Sequence, residues 1–332
     1  MEADHNIVEQ LVEEDRWKLL WTSMPCLSFS FFDFRTSRSN KKFNKFVKHV
    51  LSDRNHQVQV SSVELSFEGP LSNVLMREIA DYAFSHNVQE LDIYDISRGW
   101  IDFEDYPLCL LGSKSLKHFN LNSNVTLKTP LNFPALTTLH LNHMILCGEL
   151  FSKCVNLKDL SLSDFSIKDV EVFEIITPQL SVLMLTYGKG SLVINLIAPQ
   201  LERLIITDCS IKSLNAPPGL SCFWYMGNPP LHLQLCEDRF HSLNEVVIYL
   251  HLHFHGLPYT EEYAQRTINM LQQFHDVRSL TFNSDTIECI SGRMQMKYKC
   301  LAKLETSCLR TLRIASSSWN DKRVAKVKIV PT

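Results

Sequence analysis

Three histidines, His251, His253 and His255, alternate with Leu252 and Phe254. Alternate residues of a strand share a face, so three imidazoles would stand on one side. Zinc takes imidazole ligands, but a structural site needs four ligands and a catalytic one needs three that converge. Same-face neighbours on a strand lie about 6.6–7 Å apart. The outer two rings therefore diverge, and the run reads as a solvated strand face opposite Leu250, Leu252 and Phe254. Gly188-Lys189-Gly190-Ser191 has the residue types of a phosphate loop. It lacks the Gly-x-x-x-x-Gly-Lys-Ser/Thr spacing, and no strong helix follows to aim its N-terminus at an anion. It reads as a turn. No Gly-x-Ser-x-Gly, His-Glu-x-x-His or kinase-like set occurs. Cys209 and Cys222 read as small apolar packing residues. No catalytic, cofactor-binding or metal-binding residue is assigned, and the chain reads as a non-enzyme.

The elements that would position any site come from a repeat. The pattern apolar-x-x-apolar-x-apolar begins at Val60, Val88, Leu116, Leu136, Leu157, Leu180 and Leu201. Looser copies begin at Leu220, Leu243, Val277 and Leu309. From Leu116 to Leu243 the starts are 19–23 residues apart, within the range of leucine-rich repeats. Period-2 alternation inside each copy means a short strand with one buried face. One copy cannot bury its own leucines, whereas stacked copies bury a continuous core. Pro punctuates the returns at Pro134, Pro178, Pro199 and Pro217-Pro218. Amphipathic stripes over 44–51, 71–84 and 261–274 predict helical returns; the central returns are shorter and read as irregular. The expected fold is α/β: a leucine-rich-repeat solenoid, a curved parallel sheet with helical or irregular returns, behind a helical N-terminal remnant. The expected divisions are an N-terminal segment 1–40, a repeat domain 41–285, and a repeat-like cap or tail 286–332.

Composition agrees. The chain has 332 residues, 45% hydrophobic, with 46 leucines and 10 glycines. Its 33 Lys+Arg against 36 Asp+Glu give no global footprint for nucleic acid, and none is expected as a partner. No stretch has the roughly 18–20 apolar residues of a membrane span, so no membrane partner is expected. The start has no basic-then-apolar signal, and ten cysteines lack any Cys-x-x-Cys pair. Both features fit reduced thiols in the cytosol or nucleus.

If the repeats bind something, the surface is the open face of the sheet, between the core positions. Asp92, Tyr94, His118, Asn120, His140, Asn142, Asp159, Arg203, Trp224 and Tyr249 are the candidates, accompanied by Glu64, Ser161, Met184 and Ile205. In Phe223-Trp224-Tyr225 the register points Trp224 outward, as an anchor residue would be. This polar and aromatic mixture suits protein recognition; phosphate binding would want stacked Arg and Lys.

The stretch Asp15-Arg16-Trp17-Lys18-Leu19-Leu20-Trp21-Thr22-Ser23-Met24-Pro25-Cys26-Leu27 resembles the end of the F-box in the plant F-box/leucine-rich-repeat family. Val63-Glu64-Leu65-Ser66-Phe67, Asn87-Val88-Gln89-Glu90-Leu91-Asp92-Ile93 and Ala198-Pro199-Gln200-Leu201-Glu202-Arg203-Leu204 are family-like phrases. The resemblance covers roughly residues 15–285. It implies a substrate-receptor subunit of a cullin–RING (SCF) ubiquitin ligase. Such a subunit docks on a Skp-type adaptor, and through it the cullin, and holds a target protein on its repeats. A family F-box opens with Leu-Pro-x-Glu-x-Leu and two helices ahead of the Arg-Trp. Only 14 residues precede Asp15, so the reading is an F-box truncated at its N-terminus. The resemblance places adaptor contact at Trp17, Leu20 and Trp21; their apolar character better suits a cap on the first repeat's core. A leucine-rich-repeat scaffold that has lost ligase docking is the alternative function.

Overall fold

A computed structural model describes residues 22–31, 40–55, 57–67, 73–95, 112–190, 192–227, 232–235, 243–251, 261–274, 277–291, 311–315 and 324–328. Trp17, Leu20, Trp21, His253 and His255 lie outside the described residues. The chain divides into two compact units: 1–125 with 132–136, and 126–131 with 137–332.

The first unit carries β1 (Cys26–Ser30), α1 (Asn40–Ser52), β2 (Ser62–Phe67), α2 (Asn73–Ser85), β3 (Glu90–Asp95) and β4 (His118–Leu127, its last two residues in the second unit). The strands pair in parallel in chain order. Their inward side chains align in rows, Leu27–Val63–Leu91–Phe119 and Phe29–Leu65–Ile93–Leu121, all buried. Each such Leu contributes about 1.5–3 kcal/mol by leaving water. α1 buries Phe43, Val47 and Leu51, and α2 buries Leu75, Ile79 and Ala83. The four-residue spacing puts each trio on one helical face. Phe43 meets Phe31 edge-on at 5.6 Å between ring centroids. α2 ends where Asn87 turns left-handed (φ 54°) and the Val88 N–H bonds back to the Ala83 carbonyl, as asparagine permits at a helix end.

The second unit continues with β5 (Thr138–Cys147), β6 (Asp159–Ser163), β7 (Ser166–Lys168), β8 (Val172–Ile176), β9 (Val182–Thr186), β10 (Leu192–Ile197) and β11 (Arg203–Thr207). Then follow β12 (Ile211–Ala216), β13 (Cys222–Gly227), β14 (His232–Leu235), β15 (Glu245–Leu250), α3 (Glu261–Leu271) and β16 (Ser279–Asn283). α4 (Ser284–Ser291), β17 (Thr311–Ala315) and β18 (Val324–Lys328) complete it. The repeat strands pair in the order β5-β6-β9-β11-β13-β15-β16-β17-β18, all parallel except the last pair. Each repeat copy read from the sequence that falls in described residues supplies one strand of these sheets.

The central returns differ from the sequence reading. Val172–Ile176, Leu192–Ile197, Ile211–Ala216 and His232–Leu235 are strands, and they pair in parallel as a second sheet, β8-β10-β12-β14. The reason is local. Val172-Phe173-Glu174-Ile175-Ile176 and Leu192-Val193-Ile194-Asn195-Leu196-Ile197 are β-branched and alternate, which favours extended chain. Prolines at 178, 199 and 217 then end three of them.

Two devices recur along the backbone. The seventh residue after Leu136, Leu157, Leu180, Leu201 and Leu220 is His143, Asp164, Tyr187, Asp208 and Gly227, and every one has positive φ. Each of the three middle ones donates its N–H to the carbonyl just before the equivalent residue of the next copy, at 2.7–2.9 Å. This turn closes each strand. Serines supply the second device. Ser61, Ser181 and Ser221 donate their hydroxyls to the carbonyls of Pro25, Lys158 and Glu202 in the preceding strand's lead-in, at 3.0–3.2 Å.

A buried polar knot ends β15. The Asn283 side chain accepts from the Leu250 N–H (3.1 Å), donates to the Leu250 carbonyl (2.7 Å), and accepts from the Thr286 N–H (3.0 Å) as the N-cap of α4. The Thr286 hydroxyl donates to the Ile248 carbonyl at 3.0 Å. Neither this knot nor the serine rungs is visible in apolar periodicity, because polar residues carry them.

Candidate functional site

Every second residue of a repeat strand points away from the core, and the parallel register stacks these residues into rows running across the strands. In the first unit the central outward row is Ser28–Glu64–Asp92–Asn120. The row before it includes Glu90 beside His118, and the row after it Tyr94 beside Asn122. These groups bond one another. The Ser28 hydroxyl donates to Glu64 Oε2 at 3.0 Å, and the Asn120 amide donates to the Tyr94 hydroxyl at 2.8 Å. Burial, and then the carboxylates of Asp92 and Glu64, push the Tyr94 phenol above its ordinary pKa, against the Asn120 bond that lowers it. The sequence-predicted Asp92, Tyr94, His118 and Asn120 thus sit on adjoining strands of one polar face.

In the second unit the central outward row begins polar, with His140 and Ser161, and then changes. Met184, Ile205, Trp224 and Val247 follow side by side on β9, β11, β13 and β15. Met184 is 37% exposed and Trp224 43% exposed; Ile205 and Val247 are half-buried. With strands about 4.8 Å apart, the four span roughly 14 Å of apolar surface. The row before them holds Asp159, Val182, Arg203, Cys222 and Glu245. Arg203 is exposed and makes no hydrogen bond or ion pair through its guanidinium among the described residues. The row after them runs Asn142–Ser163–Thr186–Thr207–Met226–Tyr249. Tyr249 is half-buried, and burial raises its phenol pKa. Asn142, Asp159, His140, Arg203, Trp224 and Tyr249 therefore share one face of this unit.

The sequence list held Met184 and Ile205 but not Val247, and it did not single out the apolar row. Its signal is the fourth residue after each repeat start. That column reads Glu64, Asp92, Asn120, His140, Ser161, Met184, Ile205, Trp224, Val247, Thr281, Arg313. Four consecutive apolar entries in an outward column mark the patch.

The other motifs resolve into structure. The Lys189 ammonium donates to Asp164 Oδ1 at 2.9 Å, and His143 Nδ1 lies 2.7 Å from Asp164 Oδ2. The hydrogen bond from Lys189, more than any other cause, holds Asp164 below the usual carboxylate range. A Cβ on Gly188 would stand 2.6 Å from the Phe165 ring. Cys209, reached by the Gly188 N–H at 3.3 Å, has its thiol pushed up to about 11 by burial. Cys222 is half-buried, and burial raises its thiol too. Exposed Cys26 is the reverse case: hydrogen bonding from Ser62 and Ser61 lowers its pKa. Among the described residues no group of three or more His, Cys, Asp or Glu is placed to hold a metal ion, and no helix is long and apolar enough to cross a membrane.

Stacked parallel strands at this spacing, each contributing one residue to every outward row, define a leucine-rich-repeat protein. A family model of the leucine-rich repeats of the FBD-associated F-box protein At5g56370 matches residues 76–220. The chain is 27% identical over 231 residues to the FBD-associated F-box protein At5g56370 of Arabidopsis thaliana, covering 63% of the chain and 51% of that protein. It is 28% identical over 138 residues to the Arabidopsis F-box/FBD/LRR-repeat protein At4g03220, covering 40% and 27%. The matched stretches thus span between about a quarter and a half of these curated relatives. No solved structure matches the chain significantly. Over these stretches the chain is similar to plant F-box/FBD/leucine-rich-repeat proteins. It is a repeat-based interaction module.

Proposed function

We propose that the chain recognises a target protein on its outward repeat rows, as the substrate-receptor subunit of an SCF-type ubiquitin ligase in the cytosol or nucleus. A Skp-type adaptor and cullin complete the assembly, and Trp17, Leu20 and Trp21 contribute to adaptor contact. The receptor itself holds the target and performs no covalent step. The observation that carries the target-binding half is the outward row Met184–Ile205–Trp224–Val247, with Met184 and Trp224 exposed and Ile205 and Val247 half-buried between and beside them. Apolar side chains in line on a surface are the composition of an interface core. The face around it has few cations in line, which disfavours nucleic acid. The relatives' names carry the ligase half.

The test is co-expression of the 332-residue chain with a plant Skp-type adaptor, followed by size-exclusion chromatography. Co-elution, lost in a Trp17→Ala/Trp21→Ala variant, is the expected result. A chain that stays folded and elutes without the adaptor establishes the scaffold reading instead.

A further inference from the structure

We infer that the row Met184–Ile205–Trp224–Val247, together with Arg203, receives a protein segment that presents bulky apolar side chains next to a carboxylate. This rests on the repeat-face reading above and names the partner chemistry within it. Three observations converge on β9, β11, β13 and β15.

The row is apolar where its neighbours along the same column are polar. His140 and Ser161 precede it and Thr281 follows it. Strand propensity favours Ile, Trp and Val on either face, but Met184 and Trp224, 37% and 43% exposed, forfeit transfer energy that a covering partner would recover. Trp224 stands at the middle of the strip and is the most exposed of the four, which is the position and residue type of a binding anchor.

The row has a single adjacent cation. Arg203 is two residues before Ile205 on β11, so its Cα lies about 6.6–7 Å from that of Ile205 on the same face. Its register partners are the uncharged Val182 and Cys222. Asp159 and Glu245 of its row are each on the second strand away, and the Glu245 carboxylate leans in to accept from Cys222 Sγ at 3.8 Å without forming an ion pair with Arg203. The guanidinium makes no hydrogen bond or ion pair among the described residues and acts on the Cys222 thiol only through its charge. It offers a two-pronged donor fork that matches a carboxylate. Beside a strip that a partner would dry, that match is strengthened by the lowered dielectric. A basic segment would instead set like charges together at Arg203.

The strip is short. About 14 Å accommodates four or five residues of extended chain, or about nine of helix. The partner element is therefore a short linear segment with two or three apolar anchors.

Panning a random-peptide display library against the full chain tests this, with synthetic peptides then titrated by fluorescence polarisation. Recovered peptides are expected to carry Asp or Glu within a few residues of Leu, Ile, Phe or Trp. They should bind Trp224→Ala at least tenfold less tightly than the parent chain. Arg203→Glu should reverse the preference, favouring peptides in which Lys replaces the acid. Met184→Glu lies on the same row and should give the same loss, and it serves if Trp224→Ala fails to fold. Peptides that bind parent and both row variants equally, or that show no charge preference, overturn the inference. Peptides lost only in Asp92→Lys, on the first unit's face, also overturn it while leaving repeat-face recognition standing. If neither face recovers any peptide while the adaptor still co-elutes, this inference and the target-binding reading fall together, and adaptor docking stands alone.

Discussion

The two units are built from the same strand pattern, and their outward rows differ in polarity. In the first, outward side chains are polar and spend their hydrogen-bonding capacity on one another, as Ser28 does on Glu64 and Asn120 on Tyr94. In the second, the corresponding row turns apolar at Met184 and stays so through Val247. The inward rows scarcely differ, being Leu, Val, Ile and Phe with Tyr225 as the one exception. A repeat thus separates two tasks by parity. Inward positions answer to packing and converge, while outward positions are free to diverge. A face whose groups are already paired has little to gain from a partner, whereas an exposed apolar row gains by being covered.

The contrast can be pressed through matched pairs of variants. The largest effect falls on the asparagines. Asn283→Ala takes the amide donor from the buried Leu250 carbonyl, leaves the Leu250 N–H with the Thr286 hydroxyl as its remaining acceptor, and uncaps α4, and should cost about 2–3 kcal/mol in urea unfolding. Asn120→Ala, on the first unit's half-wet face, should cost less than about 1 kcal/mol. Equal costs would erase the distinction between a buried polar knot and a surface network.

Cysteines come next. With its pKa lowered and its side chain exposed, Cys26 should be alkylated at mildly alkaline pH on the order of a hundredfold faster than Cys209, whose thiol sits at about 11. Timed mass spectrometry of labelled peptides reads this directly.

Glycines separate the units by space. Gly188→Ala drives a methyl into the Phe165 ring and should cost about 1–3 kcal/mol. Gly112→Ala, where the nearest atom is 3.6 Å away, should cost less than about 1 kcal/mol. Thermal unfolding of both variants decides it.

The smallest effect concerns the ion pairs. Lys48–Glu78 on the first unit is exposed (2.8 Å), and Asp164 with Lys189 and His143 is partly sheltered. Glu78→Gln and Asp164→Asn should each cost less than about 1 kcal/mol near neutral pH. The Asp164 contribution carries an acid signature. Its folded pKa is depressed, so the unfolded state takes up the proton first as pH falls. The stabilisation is full above the unfolded value near 3.8 and disappears as pH drops through the folded one. Stability measured from pH 6 downwards should therefore converge for parent and Asp164→Asn, and parallel curves would refute the assignment.

Much of this was legible in the sequence. Leucine spacing located the repeat strands and their parity, and so placed Trp224 outward between buried Phe223 and Tyr225. It missed the second sheet because those strands begin at varying distances, 10–15 residues, after the repeat starts, so no template in phase with the leucines picks them out. It missed the apolar row because alternation was read along each copy, while the row exists only down the column that joins copies. The Asn283 knot escaped for a third reason: one asparagine satisfies backbone groups more than thirty residues away, a relation that no local pattern contains.

The turn that closes each strand has a consequence for how such a chain can change. From Leu136 onward, five copies place their left-handed residue at the same offset, and four different residue types fill it. A copy is therefore a cassette with matching ends. Excising Leu180 to Gln200 would join Gln179 to Leu201 in phase, deliver β11 to the edge of β6, and narrow the apolar strip from four residues to three. Duplicating the same stretch would widen it. The breadth of what this face can grip is in this sense counted in whole copies, and can be lengthened or shortened without redesigning a single core contact within the copies that remain.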